Sequence, residues 1–279
     1  MSLSTSTQWQ RLLKNAGTWQ GSFTQLSPRG DVLSDTPTEV ELAPYDDDQA
    51  MRQEVRRCLD GPPQIQKLDY RTLSRATRFF ETGAFSQGSI QWGPFSAFGA
   101  ELGLIAGDRR LRLVQLFDDT SALKSITLIR ERLKGSKTSE RASLEISDLI
   151  GTWQGKAVTE YADLRPEQHS STQLKIEQTS ENQIGQSISF SAGNSLIASN
   201  GIIDGHKILF TNGTQPIQVL LLPDGASSTC PTKVTPRQPL FLEVGWLLDS
   251  QTRQRLIRSY DAAGAWISLT LVTEHKVSD

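Results

Sequence analysis

Along much of the chain, apolar and polar residues alternate at a period of two. Gln173-Leu174-Lys175-Ile176-Glu177, Gln186–Phe190 (QSISF) and Ser268–Val272 (SLTLV) are such runs. Successive side chains of a strand point to opposite faces, so this pattern predicts half-buried β-strands. Turn-forming residues punctuate the runs: Pro28-Arg29-Gly30-Asp31, Asn200-Gly201, Asp204-Gly205, Asn212-Gly213 and Asp224-Gly225. The second half of the chain reads as roughly eight to ten short strands, at the spacing of an all-β sandwich or barrel. Two segments carry a helical pattern instead. Thr5–Lys14 opens with capping residues and sets Trp9, Leu12 and Leu13 on one face. Ser139–Leu149 holds the same place ahead of the second half. No alternation of strands with helices follows, which disfavours a parallel α/β fold.

The chain also repeats itself. Gly17-Thr18-Trp19-Gln20-Gly21 returns as Gly151-Thr152-Trp153-Gln154-Gly155. Arg112–Arg132 and Arg255–His275 agree at Arg112/Arg255, Leu113/Leu256, Asp118/Asp261, Ala122/Ala265, Ser125/Ser268, Thr127/Thr270, Leu128/Leu271 and Glu131/Glu274. Glu101-x-Gly103 and Glu243-x-Gly245 are a weaker echo. Matches in order at the start, late middle and end of each half imply duplication of one unit. The expected domains are residues 1–135 and 136–279, divided in the polar stretch Leu133–Ser143. Antiparallel strands linked by hairpins close as an up-and-down barrel, which removes exposed edges. A β-sandwich is the alternative.

Composition narrows the function. The chain has 279 residues, 37% hydrophobic and 22% charged, with a formal charge of −2. No basic excess points to nucleic acid. No apolar run approaches a membrane span. Met1–Lys14 lacks the apolar stretch of a signal peptide, so a cytoplasmic location is expected. Two distant cysteines, Cys58 and Cys230, and three histidines, His169, His206 and His275, form no disulfide framework or metal pattern. Phosphate-loop, nucleophile-elbow and dinucleotide motifs are missing, so the sequence names neither a catalytic residue nor a cofactor.

Gly-x-Trp on a first strand after a short helix, here Gly17-Thr18-Trp19 and Gly151-Thr152-Trp153, resembles the lipocalin opening. Phe79–Gly88 (FFETGAFSQG), Leu220–Gly225 (LLLPDG), Leu242–Trp246 (LEVGW) and Arg255–Trp266 (RLIRSYDAAGAW) extend the likeness over nearly the whole chain. These stretches resemble a cyanobacterial and algal family with two lipocalin-like barrels, distantly similar to the S/U-type phycobiliprotein lyases. The resemblance implies an all-β fold of two tandem lipocalin-like antiparallel barrels, each preceded by a short helix. It also implies that Trp19 and Trp153 plug one end of each barrel. A basic residue from the end of the last strand, Arg130 or Arg132 in the first half, would pack over the ring. The second half has Thr273 and His275 at those positions, with Lys276 next.

Several residues fit a ligand site and also have plainer roles. Arg112 and Arg255, with Arg110, Arg253 and Arg258 nearby, would hold a carboxylate at a barrel mouth or form salt bridges to Glu131, Glu274, Asp118 or Asp261. Strand parity leaves open which arginine faces inward. Tyr260, Trp246 and Trp266 would contact an aromatic, polar-ended ligand or simply pack. The first half has Phe117, Leu104 and Leu123 in their places, which favours the second barrel as the binding one. Glu101 and Glu243 would be lumen acids, outward-facing or ion-paired. Phe79–Phe98 would be a lid, a ligand-contacting hairpin or packed strands. Three functions follow from this reading. The leading one is carriage of an apolar ligand with an acidic group, such as a fatty acid, bilin or other pigment. The others are lyase-like chromophore attachment and a structural or interaction scaffold that binds no ligand.

Overall fold

The computed structural model describes residues 6–58, 61–191 and 193–277. The first half contains β1 (Gly17–Leu26), β2 (Val32–Tyr45), β3 (Ala50–Arg57), β4 (Gln64–Tyr70), β5 (Thr77–Phe79), β6 (Phe85–Gly88), β7 (Phe98–Ala106), β8 (Arg109–Phe117) and β9 (Leu123–Leu133). The second contains β10 (Gly151–Tyr161), β11 (Gln168–Ser180), β12 (Gln183–Phe190), β13 (Gly193–Asp204), β14 (Lys207–Phe210), β15 (Ile217–Leu222), β16 (Ala226–Pro231), β17 (Leu240–Leu247), β18 (Thr252–Tyr260) and β19 (Trp266–Val277). The fold is all-β, as the alternation predicts: two tandem antiparallel barrels. The second closes fully from β10 round to β19. The first is a curled sheet in the order β4-β3-β2-β1-β9-β8-β7-β6-β5, with β4 and β5 unbonded to each other. Matching the sheets outward from Trp19 and Trp153 leaves β14 without a counterpart. In its place Arg71–Ala76 crosses from β4 to β5 without joining either ladder.

Short helices precede both barrels. α1 (Gln8–Leu12) is closed by a capping box between Thr7 and Gln10. α2 is only Ile146–Leu149, shorter than the periodicity suggests. The reason lies in competing partners. The Arg141 amide donates to Asp224 (2.8 Å), the Leu144 amide to the Leu222 carbonyl (3.0 Å), and the Ala142 carbonyl accepts from Gly225 (2.9 Å). These contacts hold residues 141–144 extended along the β15–β16 turn.

The repeated motif folds the same way twice. Gly17 and Gly151 take φ of +129° and +124°, a region that disfavours side chains, and turn the chain from helix into strand. Each following Trp is buried, and its indole N–H donates 2.9 Å to a carbonyl four residues back: Trp19 to Asn15, Trp153 to Leu149. A buried indole needs such a partner.

Strand parity divides the apolar residues between two kinds of core. Leu240, Leu242, Val244 and Trp246 of β17 face away from their own barrel, as do Phe98, Ala100, Leu102 and Leu104 of β7. They meet, with residues of β8 and β18, in one apolar cluster shared by the halves. Backbone bonds fasten its rim: Leu123 to Thr232, Val234 to Ser121, Trp92 to Gly264 and Trp266 to Ile90. The opposite faces of these strands form the two lumens. Burial of this many large side chains from both halves makes the pair one body.

Candidate ligand-binding site in the first barrel

Each lumen is built around a quartet of charges related by the repeat. In the first barrel Glu131 accepts from Arg110 Nε (2.7 Å), Arg112 Nε (3.0 Å) and Arg112 Nη2 (2.9 Å). Arg112 Nη1 reaches on to Glu101 (2.6 Å), which also accepts from Gln87 (2.8 Å). In the second, Glu274 accepts from Arg253 Nε (2.9 Å), Arg253 Nη2 (2.5 Å) and Arg255 Nε (2.9 Å), and Arg255 reaches Glu243 (3.3 Å). Register explains the grouping: Arg110 lies opposite Glu131 and Gly103 opposite Arg112, so these strands present their charges to one interior.

Burial alone would raise the Glu131 carboxyl, but Arg110 and Arg112 outweigh it and hold it down at about 2. Glu274 is lowered in the same way by Arg255 and Arg253. Glu243 goes the other way, because burial dominates over its longer contact with Arg255.

The quartets differ in one donor. Arg253 gives both Nε and Nη2 to Glu274. Arg110 gives only Nε, and its buried Nη2 has no partner among the described residues. Arg110 also lines a cavity of about 260 Å³ in the first lumen. Val40, Leu42, Leu68, Phe79 and Phe85 form its apolar walls, with Arg112, Glu101, Gln53 and Tyr70 as polar contacts. Leu73 from the Arg71–Ala76 strap also lines the cavity. The second lumen is packed by Trp153, Leu174, Ile176, Ile184, Ile208, Phe210, Leu221 and Leu247.

A solved protein of unknown function from the DUF3598 family of Nostoc punctiforme is 47% identical, with a TM-score of 0.92 over 98% of this chain and 100% of its own. The chain belongs to the DUF3598 family. Residues 5–136 match the family model "Domain of unknown function (DUF3598), N-terminal". Residues 140–277 match "Biogenesis factor required for ATP synthase 1, C-terminal domain". The S-type phycobiliprotein lyase CPES from Guillardia theta is 13% identical, with a TM-score of 0.39 over 48% of this chain and 90% of that one. No curated protein matches.

In this DUF3598 protein the residues singled out from sequence fall into three places. Arg112 and Arg255 face the lumens, held by the carboxylates described above. Arg258, Tyr260, Trp246 and Trp266 lie in the cluster between the barrels. Arg258 is fully buried, 4.0 Å over the Trp266 ring, and donates to Tyr260 Oη (2.9 Å) and to the carbonyls of Ala76 (3.2 Å) and Ser89 (3.2 Å). Tyr260 donates to the Ser89 carbonyl (2.9 Å), Trp246 to that of Asp224 (3.0 Å) and Trp266 to that of Ser268 (2.9 Å). The expected place of these four in the second lumen is therefore corrected: they alternate with Arg253, Arg255 and Ile257 or pair across strands with residues of the outer face.

The cation over each Trp is corrected as well. Arg130 and Arg132 do not cover Trp19, because Trp19 is in register with Leu133 and shares its face. Arg130 and Arg132 sit on the opposite face. Arg110 stacks 4.5 Å from the Trp19 centroid and Arg253 stacks 4.7 Å from that of Trp153, with Lys276 Nζ at 5.3 Å. The repeat carries the signal for this. Arg110 and Arg253 stand two residues before Arg112 and Arg255, on the same strand face. Phe79–Phe98 is shared out: Phe79 and Phe85 stack at 5.2 Å in the first lumen, while Trp92 and Phe98 join the inter-barrel cluster. Sequence reasoning did not single out Leu68, Tyr70 or Leu73, whose roles depend on the open side of the first sheet.

Proposed function

We propose that the first barrel binds a small apolar molecule with an acidic group, its carboxylate accepting from Arg110 Nη2. The observation that carries this reading is the unpartnered guanidinium donor, buried on a residue that lines a cavity with one apolar side and one polar side. A charged donor left unsatisfied is costly, and a carboxylate supplies the matching acceptor. The cavity volume of about 260 Å³ lies just under the roughly 300–1,000 Å³ of drug-sized sites. That size suits a short fatty acid. An open-chain tetrapyrrole or other large pigment would need the Leu73 strap to move aside, and chromophore attachment would need the same opening.

Calorimetric titration with octanoate and with 1-octanol tests the proposal. Octanoate is expected to bind about tenfold more tightly or better, and Arg110→Gln to erase that preference while the far-ultraviolet dichroism stays unchanged. Equal binding of acid and alcohol, or no binding of octanoate, overturns it.

A second reading, an interaction scaffold, draws on the likeness of residues 140–277 to a model named for an ATP synthase biogenesis factor. Co-elution with isolated ATP synthase subunits on size exclusion tests it; separate elution counts against it.

A further inference from the structure

A second site lies on the outside of the first barrel. A hollow of about 710 Å³ separates the outer face of β9, β1, β2 and β3 from the segment Thr138–Glu140. Register sets its floor. Arg132 lies beside Gln20, Gln20 beside Glu39, and Glu39 beside Arg56, so two arginines flank a Gln–Glu pair across four strands. Arg130, one pleat away, lines the same hollow, as does exposed Cys58.

The acids at this site are already engaged. Glu39 accepts from Gln20 (2.8 Å) and Lys134 (3.2 Å), and Glu140 accepts from Arg130 (2.7 Å). Donors remain over. Arg132 is exposed and forms no ion pair among the described residues. Arg130 Nε is buried and without a partner among the described residues. The second barrel provides an internal control. A comparable hollow of about 810 Å³ occupies the same outer face there, but Thr273, His275 and Ser189 stand where the first has Arg130, Arg132 and Arg56. Lys156 also lines the second hollow, at the position of Ser22 in the first, so the shape is duplicated and the three arginines are not.

We infer that the outer groove of the first barrel binds a phosphate-bearing small molecule, with Arg132, Arg56 and Arg130 Nε donating to its oxygens. A phosphate offers acceptors in several directions and matches guanidinium forks. The space beyond the arginines accommodates an organic remainder. This site is separate from the lumen and stands or falls independently of it.

Calorimetric titration with pyrophosphate, at ionic strength held constant with sodium chloride, tests the inference. The expected result is saturable binding that weakens about tenfold in Arg132→Gln and equally in Arg56→Gln, and that is unchanged in His275→Gln. Arg132 and Arg56 are surface residues, so both variants should fold, and matching thermal melts check this. Absence of saturable heat with 5 mM pyrophosphate, or equal affinity in wild type and Arg132→Gln, overturns the inference; here 5 mM is about the weak limit of specific small-ligand binding.

Discussion

The two lumens share a charge quartet, a plugging Trp and a strand direction, yet they differ in the wall that closes them and in how many donors the quartet uses. The difference comes from few changes. In the second barrel β14 completes the wall, its Ile208 and Phe210 enter the core, and Arg253 gives two donors to Glu274. In the first, an irregular strap stands in for that strand and Arg110 keeps a donor unpaired. A duplicated unit can thus keep its internal salt bridges for architecture in one copy and leave part of the same set available to a ligand in the other.

The largest expected effect comes from breaking a quartet. Glu131→Gln leaves Arg110 and Arg112 buried without their shared carboxylate and should cost about 3–5 kcal/mol by urea unfolding. Glu274→Gln should cost a similar amount in the second barrel. A loss below about 1 kcal/mol at either site would show that its quartet is not a structural unit.

Next is the clamp between the barrels. Arg258→Ala strands the carbonyl of Ala76, removes one of two donors to that of Ser89 and empties the space over Trp266, for about 2–4 kcal/mol. Ala76 ends the strap, so this variant should also speed amide hydrogen exchange at 71–76 more than at β14, which holds its place in the second barrel. Uniform exchange across both segments would separate the clamp from the strap.

Acid titration separates the carboxylates. Glu131 has a depressed value, so its stabilisation is complete above its unfolded value of about 4.3 and is lost as pH falls towards about 2. Glu243 is raised by burial. Its contribution is complete below about 4.3 and is lost as pH rises through its higher folded value. The smallest effect follows. Glu243→Gln should change stability at pH 7 by no more than about 1 kcal/mol, and in the stabilising direction. Clear destabilisation at pH 7 would mean that the Arg255 contact outweighs burial.

The repeat and the period-two pattern carried the fold, because both record which residues face a core. They did not show which core. Leu240, Leu242, Val244 and Trp246 are apolar whether they line a lumen or an interface, and here they line the interface. That ambiguity moved Arg258, Tyr260, Trp246 and Trp266 from the lumen to the space between barrels. Arg112 and Arg255 were legible as a pair, and their carboxylate partners Glu131 and Glu274 were among the candidates. The partner of the plugging Trp was not, because it rested on the last strand of a resembling family and not on register. The cavity itself was hidden: an unladdered strap in place of one strand leaves no periodic signal.

The central claim concerns Arg110. A crystal structure of the protein grown with octanoate tests it most directly. The account predicts a carboxylate within hydrogen-bond distance of Arg110 Nη2 and a chain lying between Val40, Leu42, Leu68 and Phe79. Octanoate in the second lumen, or an unoccupied first lumen under saturating octanoate, would contradict it.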